Sequence, residues 1–515
     1  MKPIYTANQM QEIDKIAIDE MGIPGENLMA QAGISCADFF MSRFPDKNSV
    51  IVILCGSGNN GGDGFVIARV LAENDYQNLT VYVTKSLDEI IGDAKFHLNL
   101  LEKTDVPILS ENDVSDDDIQ SDLNGADFIF DALLGTGLTR DVGGLYREWI
   151  AWTNASSAVK IAVDIPSGID GNTGRKMGIA VESSHTITFG GFKVGLLLPP
   201  GNEFSGKVIV KEIGYPQEAI DAVDFVAQTI ESDDVQKRFP QRKITDHKYT
   251  VGKVFVLAGS PGMTGAAVLS GNAALRTGAG LVVCGVPESL NPILEAKLTE
   301  VMTVGLPENE RGRLSMDCLD LLENHADWCD VFACGPGLSK DSETAEMLGE
   351  LLFDLDKPMV IDADGLRAFP KWKKIRKLKS KAVFTPHHGE FCQLLGIRTE
   401  ELQNDIIGWS ERFVDTTRAV LILKGAPTIV AAPEETVWIN TTGNSGTATA
   451  GSGDVLTGMI ASFIGQGLSS LDAAICAVYL HGLAGDFAAE EKGKLGMIAN
   501  DLLENIPKTL KQFEL

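Results

Sequence analysis

Short apolar runs rich in β-branched residues, each followed by a turn and a helical stretch, recur along the whole chain. In the first half they are SVIVILC, LTVYVT, ADFIFDALLG, KIAVDIPSG and HTITFGG, with GKVIVKEIGYP (206–216) as a closing strand. Strands separated by helices pair in parallel, because only a crossover brings the chain back to the same end, and helices then cover both sheet faces. Ahead of them, Met10, Ile13, Ala17 and Met21 mark one face of a helix over 7–21 that GIPG stops, and a second helix covers about 27–43. The alternation pauses over 217–246, which is charged and shows little strand signal. It restarts with GKVFVLAGS, GLVVCGVP, DVFACGPG, PMVIDADG, AVFTPHHG, AVLILKG and TIVAA. A chain of 515 residues is too long for one core. The boundary is therefore placed near 225, with a three-layer α/β/α unit over 1–225 and a second α/β unit over 226–515.

With 44 basic against 71 acidic side chains the net charge is −27, a field that repels nucleic acid and anionic membranes. No apolar run approaches the length of a membrane span. The eight cysteines show no metal-ligand spacing and sit mostly in apolar runs, as reduced, buried thiols do. These features point to a cytoplasmic protein.

GSGNNGGDGF (56–65) follows the strand SVIVILC and fits G-x-G-x-x-G over its first six residues. A dinucleotide-binding turn would need an acid at the end of the next strand. That strand, LTVYVT, ends at Thr84–Lys85, with Asp88 and Glu89 only further on. More telling, GNNGGDG, DALLGTGLTRD and VDIPSG all leave strand ends, where open parallel sheets bind ligands. Asn59, Asn60, Asp63, Asp131, Asp164 and Ser167 should converge there, and their oxygens suit a hard cation. The same residue types also cap helices and turns, which is the plainer alternative.

In the second half, NSGTATAGSGDVLTGMIASFIGQG (444–467) runs a small-residue loop, Thr449 to Gly453, into an apolar helix. Free amides and the partial positive charge of a helix start form an anion hole. Asp454 is placed there to accept a proton from an attacking hydroxyl, although a plain helix cap is the simpler role. TPHHGE offers His387, and Glu390 for magnesium through water or phosphate. LKGAPT supplies Lys424, while GPGLS (335–339) and SPGMTGAA (260–267) are loops that admit a ligand. No Walker A motif occurs.

LMAQAG, GNNGGDG, DALLGTGL, VDIPSG and TITFGGFKVGLL resemble the NAD(P)HX epimerase domain of the NAD(P)H-hydrate repair enzymes. HKYTVGKVFVLAGSPGMTGAA, AALRTGAGLV, GPGL, DADGL, TPHHGE, LKGAPT, AGSGDVLTG and GMIANDL resemble the ADP-dependent dehydratase domain of the same family. The resemblance implies a Rossmann-like fold for 1–225 and a ribokinase-like fold for 226–515. It implies that Asn59, Asn60, Gly61, Gly62, Asp63, Gly135, Thr136, Gly137, Leu138, Thr139, Arg140 and Asp141 line the site for the hydrated nucleotide. Asp164 would contact that substrate as acid–base group, with Lys193 as helper, and Asn60, Asp131 and Ser167 would bind potassium. In the second half Ala266, Gly337, His387 and Asp454 would contact the hydrate, and Lys424, Gly425, Ala426, Pro427, Thr428 and Gly453 would bind ADP. The implied substrates are NADHX and NADPHX, and the family is consistent with a homo-oligomer. Three positions depart from the pattern. Pro427 stands for an expected glycine and offers no N–H; His388 stands for proline and Thr447 for methionine. The rival reading is a ribokinase-like kinase of a vitamin precursor with a non-catalytic amino-terminal binding module.

Overall fold

In the computed structural model, which describes residues 1–514, the first set of apolar runs forms a seven-stranded, all-parallel sheet. Its order is Ile108–Ser110, Leu79–Val83, Ile51–Cys55, Phe128–Ala132, Val159–Val163, His185–Phe189 and Lys207–Lys211. This sheet belongs to one of two units, Lys2–Val226; the other runs from Ala227 to the carboxyl terminus, with Met1. Strand alternation decides the two faces. Ile51, Ile53 and Cys55 pack with residues of helices Gly25–Arg43 and Asn59–Glu73, while Val52 and Leu54 pack with Trp149 and Ile150 of Gly144–Ala155. From Ile51–Cys55 the chain first fills one side of the sheet, then returns to Phe128–Ala132 and fills the other. That reversal leaves a crevice at the carboxyl ends of these two strands.

Two local expectations are corrected. The first helix is α only over Ala7–Lys15 and continues as a π-turn, Ile16–Glu20; the wider turn shifts the phase, and Met21 is exposed instead of joining the buried face. The GNNGGDG segment is not a loop beyond Gly58, because the helix already begins at Asn59. Its glycines serve packing: a Cβ on Gly64 would lie 2.5 Å from Cys55 Sγ and 3.0 Å from Ala132 Cβ, so the helix can press onto the sheet only without one.

The second unit holds ten strands in the order Met302–Leu306, Leu281–Pro287, Lys253–Leu257, Val331–Cys334, Met359–Ile361, Ala382–Phe384, Val420–Leu423, Thr428–Ala431, Val437–Asn440 and Ala227–Thr229. Pairing is parallel except around Thr428–Ala431, which runs antiparallel to both neighbours. Ala227–Thr229 lies within the stretch expected to lack strands. Its AQT sequence carries no apolar alternation, yet all three residues are buried beside Val437–Ile439. Helix Ser452–Gly465 is apolar on all sides and buried, and packs on Thr264–Arg276. Gly458 is where they touch, since a Cβ there would lie 2.9 Å from Ala273 Cβ. Among the described residues one helix, Ser470–Lys492, is long and apolar enough to cross a membrane, but most of it is buried in this core. All eight cysteines are free and buried.

Candidate active sites

The crevice of the first unit is a cleft of about 1050 Å³. Asn59, Asn60, Asp63, Gly135, Thr136, Gly137, Leu138, Thr139, Arg140 and Asp164 line it, along with Asp14, Lys193 and Tyr215. Gly61 and Gly62 lie behind it, buried in the helix, and Asp141 is exposed beyond its rim. Asp164 follows the strand Val159–Val163 in left-handed backbone (φ 65°), a costly conformation for a residue with a Cβ. Its Oδ1 accepts hydrogen bonds from Lys193 Nζ (2.6 Å), Thr188 Oγ1 (3.1 Å) and the Phe189 amide (3.3 Å). Lys193 is 2% exposed, so this is a buried ion pair with its geometry held on both sides.

Asp14 and Tyr215 were not singled out in the sequence. Tyr215 Oη donates to Asp14 Oδ1 at 2.5 Å; burial raises the Asp14 pKa, and the nearby Asp164 carboxylate adds to the effect. One signal was present: Asp14 stands four residues after Met10 and three before Ala17, an acid bordering the apolar face of the first helix.

Beneath the cleft, Asp131 is fully buried and its carboxylate accepts from the Ser167 amide (2.7 Å), Ser167 Oγ (2.5 Å) and the Leu133 amide (3.3 Å). Burial nevertheless pushes its pKa up to about 6. Ser167 Oγ also accepts from the Leu134 amide (2.8 Å), and Asn60 Nδ2 donates to the Leu134 carbonyl (3.1 Å). Asn60 Oδ1 is buried with no hydrogen-bond partner among the described residues. An orphaned amide oxygen next to a carbonyl, a hydroxyl and one carboxylate is a donor set for a weakly charged, hard cation.

In the second unit, helix Ser452–Gly465 begins at Gly451, which takes left-handed backbone (φ 93°) and gives no side-chain cap. The Ser452 amide donates to the Thr449 carbonyl at 3.3 Å, which leaves those of Gly453 and Asp454 for another acceptor. Asp454 lies in that turn. Burial and the charge of Asp362 push its carboxyl up to about 6, against the pull of Lys424. Asp362, 1% exposed, accepts from Lys424 Nζ (2.6 Å), Thr385 Oγ1 (2.7 Å) and Thr457 Oγ1 (2.8 Å). Burial works against the Lys424 charge, but Asp362, Glu390 and Asp454 together outweigh it and raise its pKa. A Cβ on Gly453 would sit 3.2 Å from Lys424 Nζ, so the glycine lets the ammonium reach the helix start. In the sequence DADGL carries no sign that Asp362 is buried against a lysine, and Thr457 is hidden among apolar helix neighbours.

Lys424 reaches this point through a parallel bridge to His387, whose neighbour Pro386 accepts the Lys424 amide at 2.8 Å. His387 and Glu390 form a reciprocal cap on helix His388–Leu395: His387 Nδ1 accepts from the Glu390 amide, and Glu390 Oε2 accepts from the His387 amide. Gly425 to Pro427 make the turn into strand Thr428–Ala431, and the Thr428 hydroxyl donates to the Gly425 carbonyl at 3.1 Å. The His388 ring packs on Gly425, 2.8 Å from where a Cβ would be; burial lowers its pKa and keeps it neutral. Ala266 packs against Gly337, 3.0 Å from where a Cβ there would be, and Ser260 Oγ donates to the Gly337 carbonyl at 2.7 Å. Behind the anion loop, His481 Nε2 lies 3.0 Å from the Ser452 carbonyl, with its pKa lowered to about 4 by burial.

Fold and sites define a two-unit α/β enzyme: one unit with a carboxylate-lined cleft on a parallel sheet, the other with an uncapped helix start beside a buried acid–lysine pair. Residues 254–508 match the NAD(P)H-hydrate dehydratase family model, and residues 25–195 match that of the YjeF-related protein N-terminus. The bifunctional NAD(P)H-hydrate repair enzyme of Moorella thermoacetica is 40% identical over 99% of this chain and 97% of its own. That of Escherichia coli is 33% identical over 98% of this chain and 93% of its own. Among solved structures, an ADP/ATP-dependent NAD(P)H-hydrate dehydratase from Bacillus subtilis, co-crystallized with ATP/Mg2+, is 30% identical, with a TM-score of 0.49 over 56% of this chain and 99% of that one. The chain belongs to the bifunctional NAD(P)H-hydrate repair enzymes.

Proposed function

We propose that the unit Lys2–Val226 interconverts the R and S epimers of NADHX and NADPHX. The second unit dehydrates the S epimer, using ADP and releasing AMP and phosphate. The observation that carries the second step is the uncapped start of helix Ser452–Gly465, with Asp454 in its first turn and Lys424 against Gly453. The hydrate is an alcohol at carbon 6, beside the ring nitrogen. Asp454 takes the proton of that hydroxyl as its oxygen attacks the terminal phosphorus of the nucleotide. Charge developing on the phosphoryl oxygens falls on the helix-start amides and Lys424. The phosphate ester then leaves with its bonding pair, pushed by the nitrogen lone pair, and loss of a proton from carbon 5 restores the dihydronicotinamide. With its carboxyl near 6, Asp454 is mostly ionised at neutral pH and basic enough to act. Ala266, Gly337 and His387 would contact the hydrate, and Lys424 to Thr428 with Gly453 the nucleotide; Pro427 contributes no amide.

In the first unit the fixed Asp164–Lys193 pair supplies acid–base capacity beside the carbon-6 hydroxyl, and the carboxylates around the cleft stabilise the ring cation formed when it departs. Asn60 Oδ1, Ser167 Oγ and Asp131 would hold potassium beneath the cleft, where the cation would offset the buried Asp131 charge. In the second unit Glu390 has one oxygen engaged by its cap and one facing His387 at 3.5 Å. That suits magnesium carried by nucleotide phosphates and held through water, not by a protein cage. Buried free thiols suit work in the cytoplasm.

Incubating the protein with an R/S mixture of NADHX, ADP and magnesium tests the reading. Full recovery of reduced-nicotinamide absorbance is expected. Recovery of the S fraction alone would leave the first unit non-catalytic, and a stable phosphate ester would make the second an ordinary kinase.

A further inference from the structure

We infer that Asp63 is a second acid–base group of the epimerase cleft, acting on the ring face opposite Asp164. The inference rests on the epimerase reading. Of the five carboxylates that line the cleft, Asp14, Asp63 and Asp164 act on one another's charge, and two of these three are committed. Asp14 accepts the Tyr215 hydroxyl, and Asp164 accepts Lys193, Thr188 and a backbone amide. Asp63 is 9% exposed, and its carboxylate has no hydrogen-bond partner among the described residues. Its carboxyl is thus left free for a ligand in the cleft it lines. Asp63 enters on the helix that follows strand Ile51–Cys55, whereas Asp164 leaves the end of Val159–Val163, two strands along the sheet. A ring bound between them presents one face to each. Burial, reinforced by the charges of Asp164 and Asp14, holds the Asp63 carboxyl well above its ordinary value, while Lys193 pairs with Asp164 and not with Asp63. Two carboxyls held so differently in one site suit an acid and a base.

Asp63 gives its proton to the carbon-6 hydroxyl. The C–O bond breaks with its electron pair going to oxygen, water departs, and the nitrogen lone pair forms the C=N bond of the cation. A water on the opposite face bonds to carbon 6, the C=N pair returns to nitrogen, and Asp164 takes the released proton. The reverse direction uses the two groups in exchanged roles, and solvent in the cleft resets them.

The test runs epimerisation of NADHX in water labelled with heavy oxygen, without ADP. Wild type should label both epimers; a wild type that does not epimerise overturns the epimerase reading itself. With wild type active, Asp63→Asn should slow epimerisation by about 100-fold or more, while label still enters one epimer through departure and return on the Asp164 face. Asp164→Asn should keep exchange into the other epimer only. A merely structural role for Asp63 would abolish exchange into both epimers, and that result overturns the inference. Epimerisation by Asp63→Asn at close to the wild-type rate overturns it equally. If Asp63→Asn does not fold, Asp164→Asn decides alone: exchange into neither epimer, or into both, refutes a second group.

Discussion

Replacing Asp454 with asparagine should slow dehydration sharply and make the protein more stable. In the folded chain the Asp454 carboxyl is pushed from 3.8 to about 6 by burial and Asp362, with Lys424 opposing. That difference is worth about 3 kcal/mol between the two protonation states. The sign follows from which state binds the proton. Below about pH 4 both folded and unfolded chains hold it, and the site costs nothing. As pH rises toward about 6 the unfolded chain releases its proton first, and stability falls. Above about 6 the whole penalty of about 3 kcal/mol is present, because the ionised group is buried. Asparagine is nearly isosteric and never ionises. Asp454→Asn should therefore melt several degrees higher than wild type near neutral pH, and the gain should vanish by about pH 4. Turnover should drop by about 100-fold or more, the usual worth of a general base. The assay is a series of thermal melts without nucleotide from acid to neutral pH, paired with recovery of nicotinamide absorbance from (S)-NADHX and ADP. A variant that turns over normally, or that is less stable than wild type at neutral pH, would refute the placing of a strained, functional acid at this helix start.

Three further outcomes follow from the geometry. Lys424→Met leaves the Asp362 carboxylate, 1% exposed, without its cation, and should cost about 3–5 kcal/mol in chemical denaturation. Adding Asp362→Leu should restore part of that stability but none of the activity. Ser167→Ala removes a 2.5 Å donor from Asp131, which should cost about 1–3 kcal/mol and move the Asp131 pKa above about 6; any stimulation of epimerisation by potassium should be lost with it. Gly64→Ala places a methyl against Cys55 Sγ and Ala132 Cβ, and should destabilise the first unit by about 1–3 kcal/mol, visible in its melting transition.

Hydrophobic pattern alone marked the central strands, because parallel strands buried on both faces are continuous apolar runs such as Ile51–Cys55 and Val331–Cys334. Some peripheral strands escaped it, although the edge strand Lys207–Lys211 did not. Ala227–Thr229 reads AQT, and its place in the sheet comes from pairing with Val437–Ile439, some two hundred residues away. The site divided the same way. Asn60, Asp63, Asp164, Lys424 and Asp454 stand in local motifs, where glycines and strand ends announce a ligand. Asp14, Tyr215, Asp362 and Thr457 do not, because each is defined by a partner far along the chain: Asp14 by Tyr215, and Asp362 by Lys424, Thr385 and Thr457. Local sequence thus determined the α/β layering, the crevice-facing segments and the acids proposed as reactive. Only the folded chain decided which carboxylates are paired and which are not. Burial and charge pairing are sums over neighbours brought together in space, and no window of sequence contains those neighbours.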